Sequence, residues 1–532
     1  MPDIAPVLID GVWRPAAGAG GRGTFTASNP QTGAGLLSQY PISDWADCDA
    51  AIVAAKRAGA DLRAVNPEKI ADFLDAFASA IEAHADKLCL LAHTETALAI
   101  QPRLAAGELP RTTAQLRLAS NAVRQGSWRR PVIDTKNNIR SQFAPVGPVC
   151  IFGPNNFPFA FNAVCGGDFA AAIAAGNPVI AKAHPLHPAT SQALAELALG
   201  CLVHTGLPPA TVELIYATSP ADGLRLVADS RIGASAFTGS RKAGLQLKAA
   251  ADAAGKPIYL EMSSINPVVI LPGMLSLRRA DIAREFVASV LLGSGQFCTN
   301  PGLVLLLKNA DSDAFIADVS AALSAAPVGT LFSAAVRDEL AAAIKQFIGA
   351  GAALMAGGRI MPGPRFACEN TVLAISGSQF LRHPDIFQRE AFGNACLMVQ
   401  AHDVAELVVI CGLLEGNLTG TIYADDANDA SLYDQIAELL RPRVGRLLNN
   451  KMPTGVAVSP AMNHGGPFPA SGHAHFTAVG IPAAIERFTR LECFDNVPQH
   501  RLPPALRDAA PPGYWQCVDG QWRQSPPAAD SV

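Results

Sequence analysis

Paired cysteines are missing from this sequence. Its eleven cysteines stand at 48, 89, 150, 165, 201, 298, 368, 396, 411, 493 and 517 with no C-x-x-C spacing. That excludes a zinc framework of ordinary spacing, and the odd count in a chain without a secretory start argues against a disulfide scaffold. Histidines are dispersed too; the nearest pairs, His184 with His187 and His473 with His475, have no further ligand-type neighbours, so no metal is expected. Charge is thin: 16% of residues are charged, the formal net charge is -4 and no basic block occurs. Neither nucleic acid nor an anionic membrane is therefore an expected partner. The start, MPDIAPVLIDGVWRP, lacks a charged n-region and apolar h-region, and no unbroken apolar run reaches membrane-spanning length. A cytoplasmic protein with reduced thiols is expected.

What is present is a long chain, 532 residues and 49% hydrophobic, too large for one core and expected to form two or three packed domains. From about Asp44 to Arg124 apolar residues recur every three or four positions, which predicts scaffold helices. Residues 126–144 weaken into RRPVIDTKNNIRSQFAP, suited to a protruding hairpin. From VCIFGP to NPVVILP short apolar strands alternate with helices, which predicts a parallel sheet covered on both faces. A second alternating series follows to about Asn450. The stretch MPTGVAVSPAMNHGGPFPASGHAHFTAVG is too rich in Gly, Pro and Ser for regular structure, ERFTRLECFDNV reads as a strand, and the Pro-rich residues 504–532 are expected to be extended or partly disordered.

One cysteine differs from the rest. Cys298 lies in GSGQFCTNPG, among glycines and polar residues and just after a helical apolar run, whereas cysteines that serve packing have aliphatic neighbours. Five further stretches carry candidate groups. Asn156 in PNNFP can aim an amide at an oxyanion or fill a tight turn. Gly239 and Gly244 in FTGSRKAG bracket a strand-to-helix turn whose amides suit a pyrophosphate. Glu261 in LEMSSINP is a carboxylate in an apolar run, costly to bury unless paired or working. Glu390 in REAFGNA and Lys182 in AKAHP complete the set.

Together PNNFP, AKAHP, FTGSRKAG, LEMSSINP, GQFCTNPG and EAFG, in this order, resemble the aldehyde dehydrogenase superfamily over about residues 7–500. ELPRTTAQLR, AHPLHPATS, SSINPVV and HGGPFPAS further resemble the branch that includes α-ketoglutarate semialdehyde (2,5-dioxopentanoate) dehydrogenases and related NADP-using enzymes. The resemblance implies an α/β fold with a Rossmann-like dinucleotide-binding domain (1–125 and 145–272), a second α/β catalytic domain (273–480), oligomerisation segments (126–144 and 481–503) and a C-terminal extension (504–532). It implies Cys298 as nucleophile, Asn156 as oxyanion donor and Glu261 as the base for thioester hydrolysis. NADP or NAD would be held by Lys182, His184, Gly239, Ser240, Gly244, Glu390 and Phe392, in a homodimer or homotetramer. For the substrate, an aldehyde, Arg111 and Arg117 are candidates to meet a carboxylate, and Phe157 and Phe161 (with Phe159) to line an apolar tunnel.

Three departures from the family pattern bear on detail: Pro185 where NAD-preferring relatives often carry a glutamate, Asn394 for a proline and Asn155 for a tryptophan. A CoA-acylating enzyme is the nearest rival and generally lacks the base that Glu261 supplies. A non-catalytic protein on the same fold is the rival of another class.

Overall fold

The computed structural model describes residues 4–17, 22–510 and 512–525. The helical region forms as its spacing predicts: Trp45–Leu62, Pro67–Ala83, Ala85–Thr96, the π-helical Ile100–Glu108 and Leu109–Gln125. Asp44 caps the first by accepting from the amides of Ala46 and Asp47, supplying partners for donors that a helix start leaves open.

The first seven-stranded sheet runs Ile258–Glu261, Ala234–Thr238, Val149–Phe152, Val179–Lys182, Val212–Ile215, Val7–Ile9, Val12–Arg14. Its first five strands are parallel and the N-terminal pair is antiparallel. The register pairs Phe152 with Lys182 and Thr238 with Glu261, so their side chains gather at one carboxyl edge, where α/β sheets bind ligands. Within the alternating series, the segment FAFNAVCGGDFAAAIAAG forms a short helix, Gly167–Ala174. Residues 158–161 and 163–165 are turns, where Glu108 accepts from the amides of Phe159 and Ala160 and Asn162 Oδ1 from the amide of Val164.

The second seven-stranded sheet runs Ala353–Ala356, Thr371–Ser376, Ala395–Ala401, Leu303–Leu307, Val268–Ile270, Asn417–Tyr423, Val444–Asn449. Val268–Ile270, assigned from sequence to the first series, belongs here, paired parallel to Leu303–Leu307 and Asn417–Tyr423. Both IYLE and VVI are buried apolar runs, so composition does not say which sheet each joins. The chain thus crosses between sheets through residues 262–267, which places Glu261 at the junction.

The third sheet corrects the reading of the C-terminal segment. Thr489–Asp495, Ile139–Pro145 and Val132–Asp134 pair as three adjacent strands, and Trp515–Val518 with Gln521–Gln524 extends them to a five-stranded sheet. The turn is Asp519-Gly520, both at positive φ (+49° and +83°), the pattern of a two-residue hairpin. Residues 526–532 of the expected disordered tail lie outside the described residues.

Candidate active site

The helix Pro272–Leu291 ends in a turn with three consecutive left-handed residues, Gly293 (φ +59°), Ser294 (+58°) and Gly295 (+71°). This reversal presents Cys298 to a cleft. Gln296 fixes the turn: its side chain donates to the carbonyls of Gly293 and Thr330 and accepts from the amide of Phe332. The carbonyl of Cys298 accepts from Asn266 Nδ2 at 2.9 Å. Cys298 itself is partly accessible, unlike eight of the other cysteines, which are buried.

Three of the groups expected to act converge. Asn156, buried, donates from Nδ2 to the carbonyl of Gln296 at 3.0 Å, two residues before the thiol. Glu261, 1% exposed, lies at the strand end with its side chain within 4.8 Å of Cys298 Sγ. Between them stands His464, which sequence reasoning missed. Its Nε2 is 3.4 Å from Cys298 Sγ and 3.0 Å from Glu261 Oε1. The available signal was a histidine opening a glycine-rich segment, HGGPFPAS, but only the fold shows that this loop returns to the cysteine. Burial first, and the nearby Glu261 carboxylate second, push the Cys298 thiol well above its usual range, while Arg111 acts in the opposite sense.

The aromatic residues form one wall. Phe157 meets Phe161 and Phe297 edge-on, with centroids 5.2 Å apart in each case, whereas Phe159 is fully buried in the core beneath. Arg111 lies over this wall, 4.9 Å from the Phe161 centroid and 5.6 Å from that of Phe157. Its Nε and Nη2 are buried and have no hydrogen-bond partner. Arg103, also missed, caps Phe157 and Phe297 but is engaged by Glu108 and the carbonyl of Asn156. Arg117 is elsewhere: it forms a bidentate pair with Glu82 on the surface, at 2.5 and 2.7 Å. Six residues along a helix is about 600°, which leaves Arg117 about a third of a turn away from Arg111, so the two point in different directions.

The cleft has a volume of about 900 Å³ and is lined by Lys182, His184, Pro185, Gly239, Ser240, Glu390 and Phe392, as well as by Cys298 and Glu261. Ser240 caps the helix Arg241–Ala253 by accepting from Ala243 N, so that helix's amino end faces the cavity. Gly244 does not line the cavity. A Cβ there would press on Met262 and the Phe237 ring at 3.0 to 3.2 Å, so it serves close helix-to-strand packing. Burial lowers the pKa of Lys182 to about 8, with no carboxylate among the groups that act on it. His184 is not a cation: burial, then His187 and Lys182, hold its pKa well below the usual range. His187 instead bonds the carbonyl of Pro154 through Nε2 at 2.8 Å and so fixes the turn that carries Asn156. Glu390 is raised to about 7 by burial, partly offset by Ser263 and Ser264. An amino-terminal helix end, a half-buried lysine and a cavity of this volume fit a dinucleotide phosphate.

Sheet architecture and a thiol, amide and carboxylate at one cleft define a nicotinamide-dependent oxidoreductase of the cysteine type, and the chain belongs to the aldehyde dehydrogenase family, whose pattern it matches over residues 17–493. It resembles α-ketoglutaric semialdehyde dehydrogenase 2 of Azospirillum brasilense, 38% identical over 94% of this chain and 97% of that one. It is also similar to the α-ketoglutaric semialdehyde dehydrogenase of Acinetobacter baylyi, at 36% over 96% and 98%. Among solved structures, γ-glutamyl-γ-aminobutyraldehyde dehydrogenase from Burkholderia cenocepacia shares the fold, with a TM-score of 0.79 at 23% identity, covering 92% of this chain and 96% of that one. The protein is an NAD(P)-dependent aldehyde dehydrogenase.

Proposed function

We propose that this enzyme oxidises a short aldehyde bearing a carboxylate, such as 2,5-dioxopentanoate, to the corresponding acid. The observation that carries this is Arg111: a guanidinium with two buried, unpartnered nitrogens beside the thiol. Leaving charged donors unpaired in an apolar wall is costly, and a substrate carboxylate binding them as a fork would recover that cost. The names of the two α-ketoglutaric semialdehyde relatives agree.

In the reaction Cys298 attacks the aldehyde carbon as its thiol proton passes to His464 Nε2, the imidazolium so formed then donating to Glu261 Oε1, and a thiohemiacetal forms. Asn156 turns its amide from the Gln296 carbonyl to the developing oxyanion, joined by the Cys298 backbone amide. Such donors are each typically worth roughly 10² to 10³ in rate. Bound NAD(P) supplies the acceptor for the hydride, with Lys182, Ser240 and Glu390 placed to hold it. Glu261 then removes a proton from the water that hydrolyses the Cys298 thioester, with His464 orienting the carboxylate. Pro185 sets no carboxylate against a 2′-phosphate, and Lys182 supplies a cation, which favours use of NADP at least as readily as NAD.

The Phe157–Phe161–Phe297 wall supports a second reading, uncharged aliphatic or aromatic aldehydes. Comparing 2,5-dioxopentanoate and succinate semialdehyde with hexanal and benzaldehyde separates the two. The proposal expects higher kcat/KM for the carboxylates and a loss of about 2 kcal/mol, some thirtyfold, for them alone in Arg111→Ala. Higher efficiency for hexanal and benzaldehyde, unmoved by Arg111→Ala, would establish the second reading. The protein is further proposed to act in the cytoplasm as a homodimer or homotetramer. The open edge of Thr489–Asp495, with Leu491 63% exposed, supports self-association.

A further inference from the structure

Metal binding is not expected from the spacing of histidines and cysteines, yet the fold assembles a ligand set from three distant segments. We infer that Glu261, Cys298 and His464 form an inhibitory site for a soft divalent cation, with Zn²⁺ as the fitting ion. The inference rests on the reading of Cys298 as nucleophile only for its consequence, not for the binding itself.

Geometry is the first argument. Donor atoms of all three side chains lie within 4.8 Å of one another. Bond lengths of about 2.3 Å to sulfur and about 2.0–2.2 Å to nitrogen and oxygen give, around a tetrahedral ion, S···N near ~3.5 Å and N···O near ~3.4 Å. The observed values, 3.4 Å for Cys298 Sγ to His464 Nε2 and 3.0 Å for His464 Nε2 to Glu261 Oε1, need only a few tenths of an ångström of opening, while Cys298 Sγ to Glu261, within 4.8 Å, settles toward about 3.6 Å. The second argument is an unmet carboxylate oxygen: Glu261 is 1% exposed and its Oε2 has no hydrogen-bond partner among the described residues. The third is charge. A thiolate and a carboxylate neutralise a dication, so the loaded site buries no net charge.

The ligands are also held in place. The backbone of His464 donates to Thr477 Oγ1 at 2.9 Å and accepts from Ala478 at 2.8 Å, Asn266 fixes the carbonyl of Cys298, and Glu261 is bridged to Ser471. Cys298 and Glu261 both line the cleft, which gives the ion a path in and leaves its fourth position open. On binding, the thiol proton leaves to solvent, a sulfur–metal bond forms, and no electrons are transferred. The ion thereby occupies the nucleophile and the base together.

The test uses the full chain, freed of metal by chelator. Equilibrium dialysis should give one tightly held Zn²⁺ per chain, and Co²⁺ should show thiolate-to-cobalt charge-transfer absorption with tetrahedral d–d bands; Mg²⁺ should not bind. NAD(P)H formation should fall with Zn²⁺ and return on addition of EDTA. His464→Gln and Glu261→Gln should each weaken Zn²⁺ about tenfold or more, and Cys298→Ser should abolish the charge-transfer band. Cys493→Ser, which removes an exposed thiol outside the site, should leave binding and activity unchanged. Two ligand variants guard against one failing to fold. An active enzyme with no stoichiometric Zn²⁺, or with Zn²⁺ held equally by the wild type and both ligand variants, overturns the proposal. Stoichiometric Zn²⁺ lost in the variants of a protein inactive on every aldehyde would uphold the site and overturn the functional reading instead.

Discussion

Cys298 rests as a protonated thiol, because burial and then the Glu261 carboxylate both disfavour a negative sulfur. A nucleophile so placed needs a proton acceptor at hand, and His464 Nε2 lies 3.4 Å from the sulfur. In the proposed mechanism Glu261 enters only afterwards, when water must be activated. Glu261→Gln is therefore expected to keep a burst of about one NAD(P)H per site while steady turnover falls by about 10² or more. Stopped-flow absorbance checks this, and disappearance of the burst along with turnover would make Glu261 a thiol activator. Lys182 gives a pH prediction. Its pKa is lowered to about 8 by burial, so in the empty site it is charged below that pH and neutral above it. A 2′-phosphate that depends on the ammonium is then bound progressively less well as pH rises past about 8. KM for NADP should climb between pH 7 and 9 more steeply than KM for NAD, and Lys182→Met should flatten the difference. Parallel profiles for the two cofactors would show that Lys182 does not read the phosphate.

At the scale of elements, the turn Gly293–Gly295 decides where the thiol points. Gly295 combines φ +71° with a close approach: a Cβ there would overlap the carbonyl of Gly393. Gly295→Ala should cost about 1–3 kcal/mol, the usual range for a strained backbone position, measurable as a lowered urea midpoint. Cofactor-supported turnover should drop as well, since Gln296 and the segment 390–394 are displaced together. Unchanged stability and rate would mean that the turn relaxes freely. Legibility differed between elements. The hairpin around Asp519-Gly520 carried a strong local turn signal that the surrounding prolines obscured. Val268–Ile270 carried none, because a buried parallel strand reads alike in either sheet.

For the whole molecule, the C-terminal hairpin covers the free edge of Val132–Asp134. Gln516 adds bonds to the carbonyls of Ala505 and Arg507. A chain ending at residue 510 should therefore expose that edge and change its state of association, with kcat kept near the full-length value because the cleft lies in other segments. Light scattering coupled to size exclusion, alongside kinetics, checks this. An unaltered mass distribution would assign the hairpin to stability alone.

The sequence by itself determined the alternation of strands and helices, the setting of Cys298 among glycines, and the positions of Asn156, Glu261 and Lys182 at strand ends. Each follows from local periodicity and turn chemistry, which operate over a few residues. Only the tertiary structure decided that Arg111 lies over the Phe157–Phe161 wall while Arg117 pairs with Glu82, and that His464, 166 positions from Cys298, comes within 3.4 Å of its sulfur. Those outcomes depend on which helix face packs inward and on where a long irregular loop returns. Both are set by burial summed over the whole chain, which no short stretch of residues encodes.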